Sequence, residues 1–524
     1  MGRRPRRLLV LALVVLARGA SAGDVEPVRP YESETAFLPV NVVDIRALAA
    51  WKEQGISPAH RCSDEVFVRR VFLDLIGSLP EPLEARRFLL DRAEDKRARL
   101  VDALLEREEF AEYWAMRWCD ALRVKAEFPV NLWPNAVHAY HRWILDALRR
   151  NVPLDRFARA LLTSSGSNFR EPAVNFYRAV ASRTPTGLAS AFGLAFLGER
   201  VERWTPERRK GLEAFFSRVA WKRTSEWKEE IVLHDPAPAG PLDAVFPDGV
   251  AVRIPGDADP RAVLADWLLA PGNPWFARTA ANRTWAWIFG RGIVHEPDDA
   301  RPDNPPSIPA LLDSLAGELV ESRYDVRHLL RTIVASRTYQ QSPIPRSADP
   351  RVEALFACYP VRRLDAEVLR DTLCAIDGDY DEYESIVPEP WTLMPAGQRA
   401  VRIADGGISS SFLQTFGRPP RDTGLFSERN DQPTDAQRLH LLNSTDVRRR
   451  IERSRRLGEL IGAAGDNRRE AARWIYLYLL SREPTPPEME AAAGYAEKAG
   501  LPAREAALDL AWALLNSKEF LCRH

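Results

Sequence analysis

The 524-residue chain carries 73 basic and 73 acidic side chains, is 45% hydrophobic and 28% charged, and contains 40 prolines. That balance excludes an overall basic field for nucleic acid or anionic lipid. The length exceeds what one hydrophobic core usually serves, so two or more domains are expected.

The first segment, Met1-Gly2-Arg3-Arg4-Pro5-Arg6-Arg7, is followed by an apolar run from Leu8 to Ala17 and by Ala20-Ser21-Ala22. This order is the secretory pattern, and residues 1–22 are expected to be a signal peptide. The apolar run is too short for a bilayer-spanning helix, so no retained anchor is expected. Removing residues 1–22 takes away five arginines and no acid, moving the formal balance from 73 − 73 = 0 to 68 − 73 = −5. The expected location is therefore exported: periplasmic, cell-surface or extracellular.

Residues 23–39 are proline- and acid-rich and read as an extended lead-in. From about residue 62 a helical period takes over. Ser63 suits an N-cap, and Asp64 and Glu65 follow where the helix dipole favours acids. Val66, Val68, Val71, Phe72 and Leu75 then make an apolar face, which Gly77 ends. Leu79-Pro80-Glu81-Pro82 turns into a second helix, and Lys96 to Phe110 reads as a third. The block returns at the C-terminal end, where Leu75–Glu84 matches Leu479–Glu488. Leu104–Phe110 likewise parallels Leu514–Phe520, with a weaker echo in Leu330–Tyr339. We read these copies as one helical packing unit used more than once, not as a solenoid.

Between residues 226 and 259 the helical period is lost. Glu230–Leu233, Ala244–Phe246 and Val250–Ile254 are short β-like runs punctuated by Pro236, Gly240, Pro241, Asp248-Gly249 and Pro255-Gly256. Asp259-Pro260 opens a further helix. The predicted fold is mainly α. Two helical domains, 40–225 and 260–524, are joined by a short Pro/Gly-rich segment with strands. Residues 376–435 are again loop-rich.

The stretch Asn282–Ser307 is the most suggestive chemically. It joins an aromatic helix to a loop with three aspartates, two arginines and one histidine. In a functional reading, Asp298 and Asp299 serve as acid and base or, with Asp303, as hard-metal ligands. His295 then supplies a base, and Arg283, Trp287 and Arg301 hold an anionic substrate. In a structural reading, the acids pair with Arg291 and Arg301, and Ser307 caps the helix that begins at Pro309. The spacing matches no EF-hand, so no metal site is assigned.

Fifteen tryptophans are present; exposed ones can stack on sugar rings, while Trp114, Trp118, Trp285 and Trp512 sit among helical apolar positions and read as buried. The eight histidines form no zinc motif, though His138 and His141 stand three apart on an expected helix. The five cysteines are far apart, with no CxxC or CxxCH, and read as buried free thiols with at most one or two bridges. Arg362–Asp371 reads as a salt-bridged helix face. No nucleophile elbow, phosphate-binding loop or dinucleotide fingerprint occurs, and no cofactor is expected.

Phe67–Pro80 resembles the opening of the first of two paired domains of unknown function found in large exported proteins of planctomycete bacteria, a domain termed cytochrome-c-associated. Asn282–Ser307, Arg362–Asp371, Phe416–Arg421 and Leu441–Ser444 resemble its C-terminal partner domain, in order. The resemblance implies architecture and place, not an activity. Relatives commonly carry a haem-attachment CxxCH in the first domain, where this chain runs Phe196–Thr205 without a cysteine. Many carry a CxC before a Glu-Arg pair, where this chain has Leu425-Phe426-Ser427 before Glu428-Arg429. Ile308 stands where relatives often have histidine. The resemblance therefore implies a branch without haem. Neighbouring sulfatase-like genes in relatives associate the family with polysaccharide use. The expected function is a non-catalytic scaffold or binding protein whose partners are cell-envelope proteins or polysaccharide. The alternative is a hydrolase or lyase on acidic or sulfated glycans with its site at the Arg283–Asn304 loop.

Overall fold

A computed structural model describes residues 26–524, apart from 34, 239, 388, 389, 393 and 444. The expected signal peptide lies outside the described residues. The fold is mainly α, with a few short strands. Among the described residues no helix is long and apolar enough to cross a membrane.

The helix Asp64–Leu75 sits at the centre. Ser63 caps it by accepting the Val66 N–H, as its sequence implies. The helix is buried on every side from Val66 to Leu75, including Arg69, Arg70 and Asp74. Buried guanidiniums need acceptors, and these two find backbone carbonyls far away in sequence. Arg69 donates to Leu479 O and Phe520 O, both at 2.8 Å. Arg70 donates to Tyr339 O at 2.5 Å and His524 O at 2.8 Å, with its guanidinium 3.7 Å from the Tyr359 ring centroid.

The carbonyls of Leu479, Phe520 and Tyr339 belong to the repeated units. Gly77 and Ser481, equivalent in the two copies, both adopt left-handed backbone, at φ +59° and +60°. Each is followed by a helix with a reciprocal capping box, Glu81 with Glu84 before Pro82–Leu90 and Thr485 with Glu488 before Pro486–Ala499. The expected single helix from Lys96 to Phe110 is in fact two. Lys96–Leu105 ends, and Glu108–Ala121 starts in a new direction after Glu106 and Arg107. The C-terminal copy breaks at the same place, between Ala503–Leu515 and Lys518–Leu521. There the Ser517 hydroxyl accepts the Phe520 N–H at 3.1 Å, and in the third echo Ser336 accepts the Tyr339 N–H at 3.1 Å. The break turns Phe110, Phe520 and Tyr339 inward to near-complete burial. A helical period cannot register it, because the apolar positions on either side continue the same spacing.

The strands Val219–Arg223 and Glu230–His234 pair antiparallel, and Gly166–Ser167 adds a third strand beside the latter. Leu242–Val245 and Ala251–Ile254 form a separate hairpin. Further two-residue pairs link Glu32–Ser33 with Arg61–Cys62 and Arg362–Arg363 with Cys522–Arg523. Segments 40–225 and 260–524 contribute to one continuous apolar core. At its centre Trp287 meets Trp114 and Trp118 edge to face, with ring centroids 5.7 and 5.4 Å apart. The five cysteines are free thiols; Cys62, Cys119, Cys358 and Cys374 are buried and Cys522 is half-buried.

Candidate functional site

The helix Pro274–Phe289 leads into the loop that the sequence singles out. Gly290 ends it at φ +74° with its N–H on Ala286 O. The side chain of Asn282 clasps the returning chain at two points, donating to Val294 O at 3.1 Å and accepting the Val294 N–H at 2.9 Å. A Cβ on Gly292 would lie 2.2 Å from Val294 O, so only glycine fits inside this clasp. The Ser307 N–H closes the loop on Ile293 O at 2.8 Å. Ser307 does not cap the next helix. Ile308 occupies the N-cap of Pro309–Glu321 without a side-chain bond.

Arg283 points to the opposite side of the same helix. It donates to Leu194 O at 2.8 Å and Ala195 O at 3.1 Å, within Gly193–Leu197, a wide helical turn. Such π-type turns leave carbonyls in need of partners, and one guanidinium satisfies two of them. The same side chain donates to Asp298 Oδ1 at 2.9 Å, and Asp298 Oδ2 accepts the Phe426 N–H at 2.5 Å. The Asp298 side chain is 1% exposed. Its partner is Arg283, not the expected Arg291.

Asp299 is also engaged. Both its oxygens accept from Arg203 Nη1, at 2.9 and 2.8 Å, and Arg301 Nε lies 3.0 Å from Oδ1. Arg301 reaches Asp303 as well, at 3.2 Å. Trp287 belongs to the core. His295 is part-exposed beside Glu296 at 3.9 Å; burial and the Arg291 charge lower its pKa from the usual histidine value.

Three separate segments therefore meet at Asp298: the turn 194–203, the loop 294–304 and the turn 422–428. The last is organised by Glu428, whose Oε1 accepts the N–H groups of Asp422 and Thr423 at 3.1 and 2.8 Å. Arg123, in left-handed backbone at φ +56°, bridges it to the N-terminal segment through Ala179 O at 2.6 Å and Thr423 O at 3.5 Å. Burial pulls the Arg123 pKa down to about 10. The segments without cysteine, 196–205 and 425–427, thus reach two adjacent carboxylates, Arg203 pairing with Asp299 and the Phe426 N–H with Asp298. In this arrangement both Asp298 oxygens anchor neighbouring chain, and neither faces solvent.

A larger charged array lies beside it, and pattern reading missed it. Asp120 binds Arg421 at 2.8 Å and Arg429 at 2.7 Å. Arg429 continues to Glu367 at 2.6 Å, which Arg418 also approaches at 3.4 Å. Asp365 binds Arg117 at 2.7 Å and Arg523 at 2.6 Å. Asp74 accepts from Arg362 at 3.0 Å and from the hydroxyls of Tyr339 and Tyr359, both at 2.9 Å. Arg362–Asp371 is thus no exposed salt-bridged face. The helix Ala366–Asp377 is buried almost throughout, and its charges pair with distant segments.

Burial opposes ionisation of Asp365, but Arg117, Arg523 and Arg429 together hold it well below the usual carboxylate range. Asp371 goes the other way. Burial pushes it up to about 6, against Arg399 and the Ala400 and Val401 N–H groups. His138 and His141 lie on the helix Pro134–Arg149, and burial lowers both, His141 to about 3. Among the described residues no group of three or more His, Cys, Asp or Glu side chains is placed to hold a metal ion.

Residues 42–202 match a family model described as PSCyt2, protein of unknown function (DUF1549). Residues 260–496 match PSD1, protein of unknown function (DUF1553). The chain thus carries both domains, in N- to C-terminal order. No curated protein and no solved structure matches it.

Proposed function

We propose that this DUF1549–DUF1553 protein is an exported, non-catalytic scaffold or binding protein of the cell envelope, serving polysaccharide use, in a planctomycete-type branch without haem. The observation that carries the non-catalytic reading is the state of Asp298. An acid or base must reach its substrate's proton. Asp298 instead joins Arg283 to the Phe426 N–H at 1% side-chain exposure. Asp299 is likewise occupied by Arg203 and Arg301. The arginine-led apolar run at residues 3–17 supports export, and the thiol-free segments 196–205 and 425–427 support the branch without covalent haem.

The test exposes purified residues 23–524 to neutral and sulfated polysaccharides, reading retention and newly formed chain ends in the same samples. Retention without new ends is the expected result. New ends that disappear in Asp298→Asn while the fold survives would overturn the reading in favour of a hydrolase or lyase.

A further inference from the structure

Most of the tryptophans are at least partly buried, but two large rings are not. Trp227 is 54% exposed and Trp391 is 39% exposed. They come from unrelated segments, the turn joining strands Val219–Arg223 and Glu230–His234 and the loop-rich region after residue 376. Their ring centroids are nevertheless 5.5 Å apart at 63°. Trp133 extends the row on the other side of Trp227, at 4.7 Å and 74°. The three rings form one aromatic row that is partly open to solvent.

A cation is built into the same place. Lys228 Nζ lies 4.8 Å from the Trp133 centroid and 5.6 Å from that of Trp227. Two residues of the group hold left-handed backbone that non-glycine residues rarely adopt, Trp133 at φ +73° and Lys228 at φ +61°. Such conformations persist where the surrounding structure enforces them, and they cluster at binding sites. Glu229 and Glu230 of the hairpin are held by its own neighbours. Glu229 accepts from Ser167 at 2.5 Å and Thr224 at 2.7 Å, and Glu230 is paired with Arg178 at 2.8 Å and Arg183 at 3.0 Å. Glu226, in the same turn, is exposed, so the field at the aromatic row is set by three cations, Lys228 with the exposed Lys222 and Arg223, against that one free acid.

We propose that Trp227, Trp391 and Lys228 form a subsite for an anionic sugar residue of a polysaccharide. Indole faces are electron-rich and attract the polarised C–H face of a sugar ring. The ammonium beside them supplies a partner for a sulfate or carboxylate substituent. The proposal rests on the binding function argued above only for the class of partner, since its residues lie outside the Asp298 region.

The test is affinity electrophoresis of the full chain in gels containing dextran sulfate, dextran or polyvinyl sulfate, the last being an anion without sugar rings. Retardation is expected with dextran sulfate and much less with the other two. Trp227→Ala and Trp391→Ala should each weaken it by about tenfold and Lys228→Met by about fivefold, while Trp227→Phe retains most of it. Both tryptophans are exposed, so thermal unfolding of the variants should match that of the parent chain. Equal retardation by polyvinyl sulfate, no retardation in any gel, or unchanged affinity in the Trp227→Ala/Trp391→Ala double variant would overturn the subsite. Cleavage of the polymer with the variant effects intact would instead overturn the non-catalytic reading and leave the subsite standing.

Discussion

Arg523 and Asp365, 158 residues apart, form an ion pair of 2.6 Å in which the arginine side chain is fully buried. Arg117 and the Tyr113 hydroxyl, both from the helix Glu108–Ala121, share the same carboxylate oxygen at 2.7 and 3.2 Å. One anion thus ties the N-terminal segment to the far end of the chain. Breaking a buried pair leaves uncompensated charge, which costs on the order of 3–5 kcal/mol. Asp365→Asn is therefore expected to lower the urea midpoint strongly. An unchanged midpoint would show that the network contributes little.

The pH profile follows from the same carboxylates. Asp365 and Asp120 have folded pKa values held below the usual range by arginines that outweigh burial. The stability they contribute is present above their unfolded values near 4 and is lost as pH falls through the folded values. Stability should therefore drop steeply at about pH 4 and below. The drop should be shallower in Asp365→Asn.

Asp371 has the opposite sign. Its folded pKa is about 6, so its contribution is full below the unfolded value and is lost as pH rises through about 6. The difference from an ordinary aspartate corresponds to roughly 3 kcal/mol. The Ala400 and Val401 N–H groups donate to separate oxygens, so an asparagine retains an acceptor for one of them and loses the titration. Asp371→Asn should thus remove the decline in stability between about pH 4 and 7, which unfolding measured across that range would reveal.

The Arg283–Asp298 joint should behave as a structural lock. Arg283→Met strands Asp298 and the carbonyls of Leu194 and Ala195. A loss of about 3–5 kcal/mol is expected. Polysaccharide retention by the fraction that remains folded should be unchanged. A variant of wild-type stability but altered retention would place the ligand at this joint.

Glycine substitutions separate tight positions from open ones. Gly292→Ala puts a Cβ 2.2 Å from Val294 O, so the loop must shift and stability must fall. Gly458, in the helix Arg455–Ala464, has nothing within 4 Å of its Cβ position. Gly458→Ala should raise stability by about 0.5–1 kcal/mol. The repeat offers a paired test. Ser481→Gly relieves left-handed strain at φ +60° and should stabilise by about 1 kcal/mol. Gly77→Ser at the equivalent position should destabilise, since its Cβ would meet the Tyr113 ring at 2.6 Å.

Local features were readable directly. Ser63 and Asp259 cap the helices assigned to them, and the β-like runs 230–233, 244–246 and 250–254 overlap the strands Glu230–His234, Leu242–Val245 and Ala251–Ile254. Each depends on a few neighbouring residues whose backbone groups must be satisfied in place. The repeated unit was equally legible, because Leu75–Glu84 and Leu479–Glu488 share turn chemistry as well as apolar spacing.

The candidate site was legible as a loop but not as a role. Asp298, Arg283 and Asp299 lie within one short stretch of sequence, yet their partners Leu194, Arg203 and Phe426 are distant in sequence. Nothing within 282–307 could name them. The aromatic row of Trp133, Trp227 and Trp391 was hidden for the same reason, since its rings come from three segments. The sequence by itself determined that a helical unit recurs and where helices with their own caps, such as Asp64–Leu75, start, because caps and periodicity act over a few residues. The break at Glu106 and Arg107 needed the packing of Phe110. Tertiary structure alone decided which charges are buried and which tryptophans meet solvent. Burial and ion pairing depend on what packs against a side chain, and here those partners lie up to hundreds of residues away.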